Sequence, residues 1–210
     1  MRILKVKGVG KSTKTPDSVV ILFKIISKGY DYDKVINDLN ERTAILRNDI
    51  VKAGFAKEDL KTTNFTIDTE YKYKDGENIF TGYKAVHELK LEFDFNQIIL
   101  NNLLRTLSTS EADPEYKIVF EVKDKRAFKD EILVDAVNNA KQNASVISNA
   151  ASVKLGKIMN IDYDYRDIVY RSGVVLEKAM LNSTSLDIYP EDVTGTDTVF
   201  IEWEIEDNMI

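Results

Sequence analysis

The sequence holds one histidine, His87, and no cysteine, and those two counts bound the chemistry open to it. A multi-histidine metal site cannot be assembled within one such chain. The step His87-Glu88-Leu89-Lys90 opens like the H-E-x-x-H motif of zinc proteases, yet Leu91 stands where the second histidine belongs and the segment reads as strand. His87 is therefore expected to be structural or at the surface. Without cysteine there is no disulfide, no thiolate nucleophile and no Cys-ligated zinc.

Gly8 and Gly10 match the first two glycines of a G-x-G-x-x-G fingerprint, but Thr13 occupies the third position and a strand, not a helix, follows. No GxSxG step and no complete P-loop is present. Asp162, Asp164 and Asp167 lie close together, and Glu191, Asp192 and Asp197 come later. Paired carboxylates could serve glycoside hydrolysis or hold a hard cation. Here Asp162 and Asp164 alternate with Tyr163 and Tyr165, the pattern of a strand with a solvated face, and the glycine and closing glutamate of an EF-hand loop are missing. These patterns assign no catalytic, cofactor-binding or metal-ligating residue, and no cofactor is expected.

The remaining feature is aromatic. Tyr71, Tyr73 and Tyr83 fall on the two arms of a predicted hairpin, interleaved with Lys72, Lys74 and Lys84. Such a mixture could stack nucleobases. Against that, 35 acidic residues face 29 basic ones, a net charge of −6 that opposes binding to a phosphate backbone. Cross-strand aromatic pairs also stabilise hairpins in their own right. Tyr71, Tyr73 and Tyr83 are kept as candidate partner contacts, with a protein or a second subunit as the partner and nucleic acid not expected.

The elements that would position these residues are legible from periodicity. Ile3 to Val9 alternates as a half-buried strand that Gly8 and Gly10 close, and VVILFKII from Val19 to Ile26 is apolar on both faces, as in a central strand. Asp31 or Asp33 can cap a helix carrying Ile36, Leu39, Leu46, Ile50 and Ala53, with Gly54 as its stop. Thr62 to Tyr73 and Tyr83 to Phe95 read as strands joined through the Asp75-Gly76 turn. Asn96 can cap a shorter helix with Ile99, Leu103 and Leu107, and Tyr116 to Val122 reads as another strand. A long helix from Lys125 to Val153 places Leu133, Val137, Ala140, Ala144, Ile147 and Ala151 on one seam, for packing on its own sheet or for a coiled coil. Lys157 to Tyr165 and Val199 to Ile205 read as strands. The stretch from Asp167 to Thr198 is a long loop or an unassigned element, and Val174 to Met180 a short strand or helix.

Several of these stretches together resemble the SIMPL domain family: VKGVG with Pro16-Asp17, GFAKEDLKTTNF from Gly54 to Phe65, Tyr71, Gly82-Tyr83, and AVNNAKQNASVISNAASVKLGKI from Ala136 to Ile158. The resemblance spans nearly the whole chain. It implies two α+β subdomains, large homo-oligomers in some members, and roles from oxidative-stress defence to exported antigens, with no established catalytic residue. The sequence departs from the family pattern near Pro190-Glu191-Asp192 and the TGTDT run.

The expected fold class is α+β: a ferredoxin-like βαββαβ subdomain with an antiparallel sheet over residues 1–123, and a second α+β subdomain over 124–210, built on the long helix and C-terminal strands and completed by a strand from residues 1–10. A chain of this length buries roughly 70% of its unfolded surface and needs no staple. No stretch approaches the ~20 apolar residues of a membrane span, and MRILKVKGVGKSTKTPD lacks a signal-peptide core. As written the sequence reads as cytoplasmic, although members of the family it resembles are often exported. The expected function is non-enzymatic self-association with an indirect part in stress defence; the alternative is a binding module for a small ligand or a protein partner using residues 167–198 and the hairpin of Tyr71, Tyr73 and Tyr83. Four methionines and no cysteine leave little capacity to scavenge oxidants directly.

Overall fold

The computed structural model describes residues 2–163, 176–177 and 187–207. Their elements follow in the order β1 (Arg2–Lys14), β2 (Ser18–Gly29), α1 (Tyr32–Lys52), β3 (Lys61–Lys74), β4 (Glu77–Asp94), α2 (Gln97–Ser108), β5 (Glu115–Glu121), α3 (Lys125–Ala150), β6 (Val153–Asp162), β7 (Leu176–Glu177) and β8 (Val193–Asp207). They form two compact units. One runs from Asp17 to Glu121 and takes in β7 and residues 187–190; the other combines residues 2–16, 122–163 and 191–207. The protein is α+β, with two antiparallel sheets. Among the described residues no helix is long and apolar enough to cross a membrane.

In the first unit the apolar run Val19–Ile26 lies in β2, which pairs antiparallel with β4 on one side and β5 on the other. The sheet order β3-β4-β2-β5-β7, built from a βαββαβ sequence, is the ferredoxin-like arrangement. Val19, Ile21, Phe23 and Ile25 face the helices and are fully buried, whereas Leu22 on the opposite face is exposed. Helix α1 begins where the Asp31 carboxylate accepts from the Lys34 amide at 3.2 Å, and α2 where the Asn96 side chain accepts from Ile98 and Ile99 at 2.9 and 3.2 Å. Each presents a leucine-rich stripe to the sheet, Leu39 and Leu46 from α1 and Leu100, Leu103 and Leu107 from α2. Full burial of such side chains is worth ~1.5–3 kcal/mol each. Arg42 ties the far ends together, donating to the carbonyls of Ile26 (2.7 Å), Ala112 (2.9 Å) and Asp113 (3.0 Å).

In the second unit β8 is the centre, paired with β1 along the whole length of β1 and with β6 on the other side. Gly8 and Gly10 do not end β1; they lie in its middle, directly under α3. A Cβ on Gly8 would stand 2.1 Å from the Ala136 carbonyl oxygen, and one on Gly10 2.0 Å from that of Ile132. The helix backbone rests on the strand, so the helix face must be small there as well. The buried seam of α3 accordingly runs through Phe128, Ile132, Ala136, Ala140, Ala144 and Ser148, so that of the expected seam Ala140 and Ala144 lie on it while Leu133, Val137, Ile147 and Ala151 do not. The close approach of the glycines favours alanine over larger side chains at the contact, which moves the rest of the seam.

The same helix closes the outer edge of β1. The Val9 amide donates to Asn139 Oδ1 (3.0 Å), the Lys11 amide to Asp135 Oδ2 (2.9 Å), and Asn143 Nδ2 donates to the Lys7 carbonyl (3.5 Å). Backbone groups that an edge strand would leave open are thereby satisfied from α3.

Candidate functional site

Strand β4 pairs with both β2 and β3 from Tyr83 to Lys90, but from Glu77 to Gly82 it pairs with β3 alone. The hairpin therefore projects past the end of β2 as a two-stranded ribbon. Its tip is the Asp75-Gly76 turn, with φ of 52° and 90°, the left-handed pair that lets a two-residue loop match the twist of the strands. Where the ribbon leaves the sheet, Glu70 pairs with Gly82 and Tyr71 with Phe80, so Thr81 is an extra, bulged residue. Gly82 has φ of 130°, and a Cβ there would meet the Gly29 carbonyl oxygen at 2.6 Å; only glycine fits.

The bulge decides which side chains meet. In an unbroken strand Phe80 and Tyr83 would point to opposite faces; with one extra residue they share a face, 5.3 Å apart between ring centroids. Phe80 also meets Tyr71 at 5.8 Å and Tyr30 at 6.3 Å, and Tyr83 meets Tyr32 at 5.4 Å, all close to edge-on. Edge-to-face packing of this kind adds ~0.5–1.5 kcal/mol per pair. The cluster continues the helix-covered face of the sheet out onto the ribbon, where no described helix covers it. Tyr30 is 73% exposed, Tyr71 59% and Tyr73 71%. Exposed aromatic side chains grouped in this way are the composition of an interaction surface.

On the opposite face Glu70 receives Lys28 at 3.0 Å and Lys84 at 3.9 Å. Asp68, Lys72 and Lys74 share that face and have no ion-pair partner among the described residues.

Of the three tyrosines singled out in the sequence, Tyr71 and Tyr83 are brought together through Phe80, while Tyr73 stands exposed nearer the tip without a ring contact among the described residues. Sequence reading missed Phe80, Tyr30 and Tyr32. The signal for Phe80 was the lone Gly82 inside a strand pattern, which marks a bulge; Tyr30 and Tyr32 follow the last glycine of β2.

His87 is buried at the junction of β3, β4 and α1, with the Phe65 ring edge-on at 5.2 Å. Its Nδ1 lies 3.1 Å from Thr43 Oγ1 and its Nε2 2.9 Å from Thr62 Oγ1. Burial, reinforced by the charge of Arg47, holds its pKa below the usual 6.5. Both ring nitrogens are engaged within the fold, which is a structural role. The described carboxylates do not converge: Asp162 is exposed, Asp192 accepts from the Thr15 hydroxyl at 2.8 Å and Asp197 from the Tyr163 hydroxyl at 2.9 Å. Among the described residues no group of three or more acidic or histidine side chains could hold a metal ion. Asp164, Asp167 and most of the 167–198 segment lie outside the described residues.

Over residues 4–203 the chain matches the model of the SIMPL family, described as "Protein of unknown function (DUF541)", and it belongs to that family. Among curated proteins it is similar to three named "Uncharacterized protein YggE", from Escherichia coli K12, Escherichia coli O157:H7 and Shigella flexneri. Each is 25% identical over 157 residues, which is 74% of this chain and 63% of the relative. The chain thus spans just under two thirds of the length of those relatives.

Proposed function

We propose, with membership of a family of unknown function as the premise, that this chain acts by self-association rather than by catalysis, and that the β3–β4 ribbon is the contact. The observation that carries the reading is the aromatic cluster of Tyr30, Tyr71, Phe80 and Tyr83, built onto a ribbon that extends beyond the sheet it belongs to. The ribbon adds little to the core of its own unit, since residues 71 to 80 are all exposed. A bulge and a sterically required glycine nevertheless hold its rings in one array. Tyr73, farther along the same strand face, extends the contact toward the tip. A part in oxidative-stress defence, on this reading, is indirect and follows from what the assembly holds.

Size exclusion with light scattering tests the reading. The wild-type chain is expected to run above its monomer mass of 23.9 kDa at high micromolar concentration. Tyr71→Ser combined with Phe80→Ser is expected to return it to the monomer while circular dichroism stays unchanged. A wild-type monomer throughout that range overturns self-association. In that case the alternative, a binding module for a small ligand or a protein partner through residues 167–198 and the hairpin, keeps the same tyrosines among its contacts.

A further inference from the structure

The two sheets have four edges, and three of them are unfit for pairing with another chain. The β1 edge is closed by Asp135, Asn139 and Asn143 of α3. Strand β6 is interrupted twice, between Leu155 and Ile158 and between Ile158 and Asn160, and β7 offers only two residues among those described. The fourth, β3, is fourteen residues long, and its outer side pairs with none of the described strands. From Asn64 to Lys74 it is uninterrupted, because the bulge beside Tyr71 belongs to β4. An unprotected edge of that length is a template for strand addition.

What the edge is built to receive can be read from its charges. Along one face of β3 come Asp68, Glu70, Lys72 and Lys74, two negative and then two positive. Read backwards, as an antiparallel partner presents it, the order is its own complement. We infer that β3 pairs antiparallel with β3 of a second copy about a two-fold axis at Tyr71, joining two five-stranded sheets into one.

The register follows from elimination. Side chains on one face must stay on one face, so the strands can shift only in steps that place a residue of β3 opposite its own copy. Centring on Glu70 sets two glutamates against each other, and centring on Lys72 sets two lysines against each other. Only Tyr71 at the axis gives opposite charges throughout: Asp68 against the second Lys74, Glu70 against the second Lys72, and both pairs again by symmetry. On the aromatic face Tyr71 meets its copy, and Thr69 meets Tyr73 on either side. The exposed rings of the two ribbons then form one continuous array. The inference rests on the self-association proposed above and names its geometry.

A chain without cysteine makes the test direct. Directly opposed residues in an antiparallel pair lie within disulfide reach, at Cα separations of about 4.5–5.5 Å. Tyr71→Cys alone is expected to cross-link into a dimer under mild oxidation. Thr69→Cys alone and Tyr73→Cys alone are not, but a mixture of the two is. Should Tyr71→Cys fold poorly, mixing Asp68→Cys with Lys74→Cys examines the same register from the other face. Independently, the double variant K72E/K74E is expected to weaken the dimer by about tenfold to a few hundredfold, and D68K/E70K/K72E/K74E to recover it. Association that persists in K72E/K74E, with cross-linking absent at position 71 or equal at every position, overturns the β3 pairing and leaves self-association standing. A wild-type monomer by light scattering overturns both.

Discussion

The Nδ1 atom of His87 lies 3.1 Å from the hydroxyl oxygen of Thr43, and that hydroxyl already donates to the carbonyl of Leu39 at 2.7 Å. A hydroxyl has one proton, so toward His87 it can only accept. The imidazole proton therefore resides on Nδ1, and Nε2 accepts from the Thr62 hydroxyl at 2.9 Å. The ring is neutral, oriented and satisfied at both nitrogens, and it links α1 to β3 and β4.

This arrangement makes stability depend on pH. The folded-state pKa of His87 is held below its unfolded value of about 6.5 by burial and by Arg47. The unfolded chain therefore takes up the proton first as the solution is acidified. The stability that neutral His87 contributes is fully present above pH ~6.5 and is lost as the pH falls from there through the lowered folded pKa. Urea unfolding followed from about pH 7.5 to 5 is expected to show a steeper loss in the wild type than in His87→Gln. Equal slopes would remove His87 as the source.

Gly8 and Gly10 give a prediction about the other unit. A methyl group at either position meets the α3 backbone at close to 2 Å, so Gly8→Ala or Gly10→Ala is expected to cost about 1–3 kcal/mol or more by overpacking. Val9→Ala, at a half-exposed position between them, is expected to cost less than ~1 kcal/mol. The fluorescence of Trp203, the single tryptophan, reports on this unit because the residue is buried in its core. Its denaturation midpoint should fall in the glycine variants, and an unchanged midpoint would refute the close approach.

The β1 edge can be opened deliberately. Asp135→Ala or Asn139→Ala leaves the amide of Lys11 or Val9 without its acceptor, at an expected cost of about 0.5–1.5 kcal/mol each. The double variant exposes consecutive outward donors on one strand and is expected to aggregate with rising thioflavin fluorescence, where the wild type does not. A double variant as soluble as the wild type would show that α3 does not protect this edge.

Much of the architecture was legible because its causes are local. VVILFKII marked the central strand, Asn96 and Asp31 marked helix starts, and Asp75-Gly76 marked the hairpin, each through chemistry confined to a few residues. What was misread depended on partners far away in sequence. Gly8 and Gly10 looked like strand ends because their reason for being small lies on α3, more than a hundred residues later. The seam of α3 was placed correctly only at Ala140 and Ala144, for the same cause seen from the other side. At the candidate site Tyr71 and Tyr83 were visible as a pattern, but Phe80 joins them only through the bulge at Thr81, which reverses the alternation from which faces are inferred.

The pairing of β1 with β8 also sets an order of events. Strand β1 leaves the ribosome well before its partner, which follows about 180 residues later, roughly 10–40 s at typical rates of synthesis. During that interval the ferredoxin-like unit, encoded almost entirely between them, can complete its sheet while β1 waits without a neighbour. Arg2, Lys5, Lys7, Lys11 and Lys14 give the waiting strand five positive charges and no negative one. Mutual repulsion between nascent chains then guards a segment that lacks its β8 partner throughout and, until residues 125–150 are made, the side chains of α3 as well.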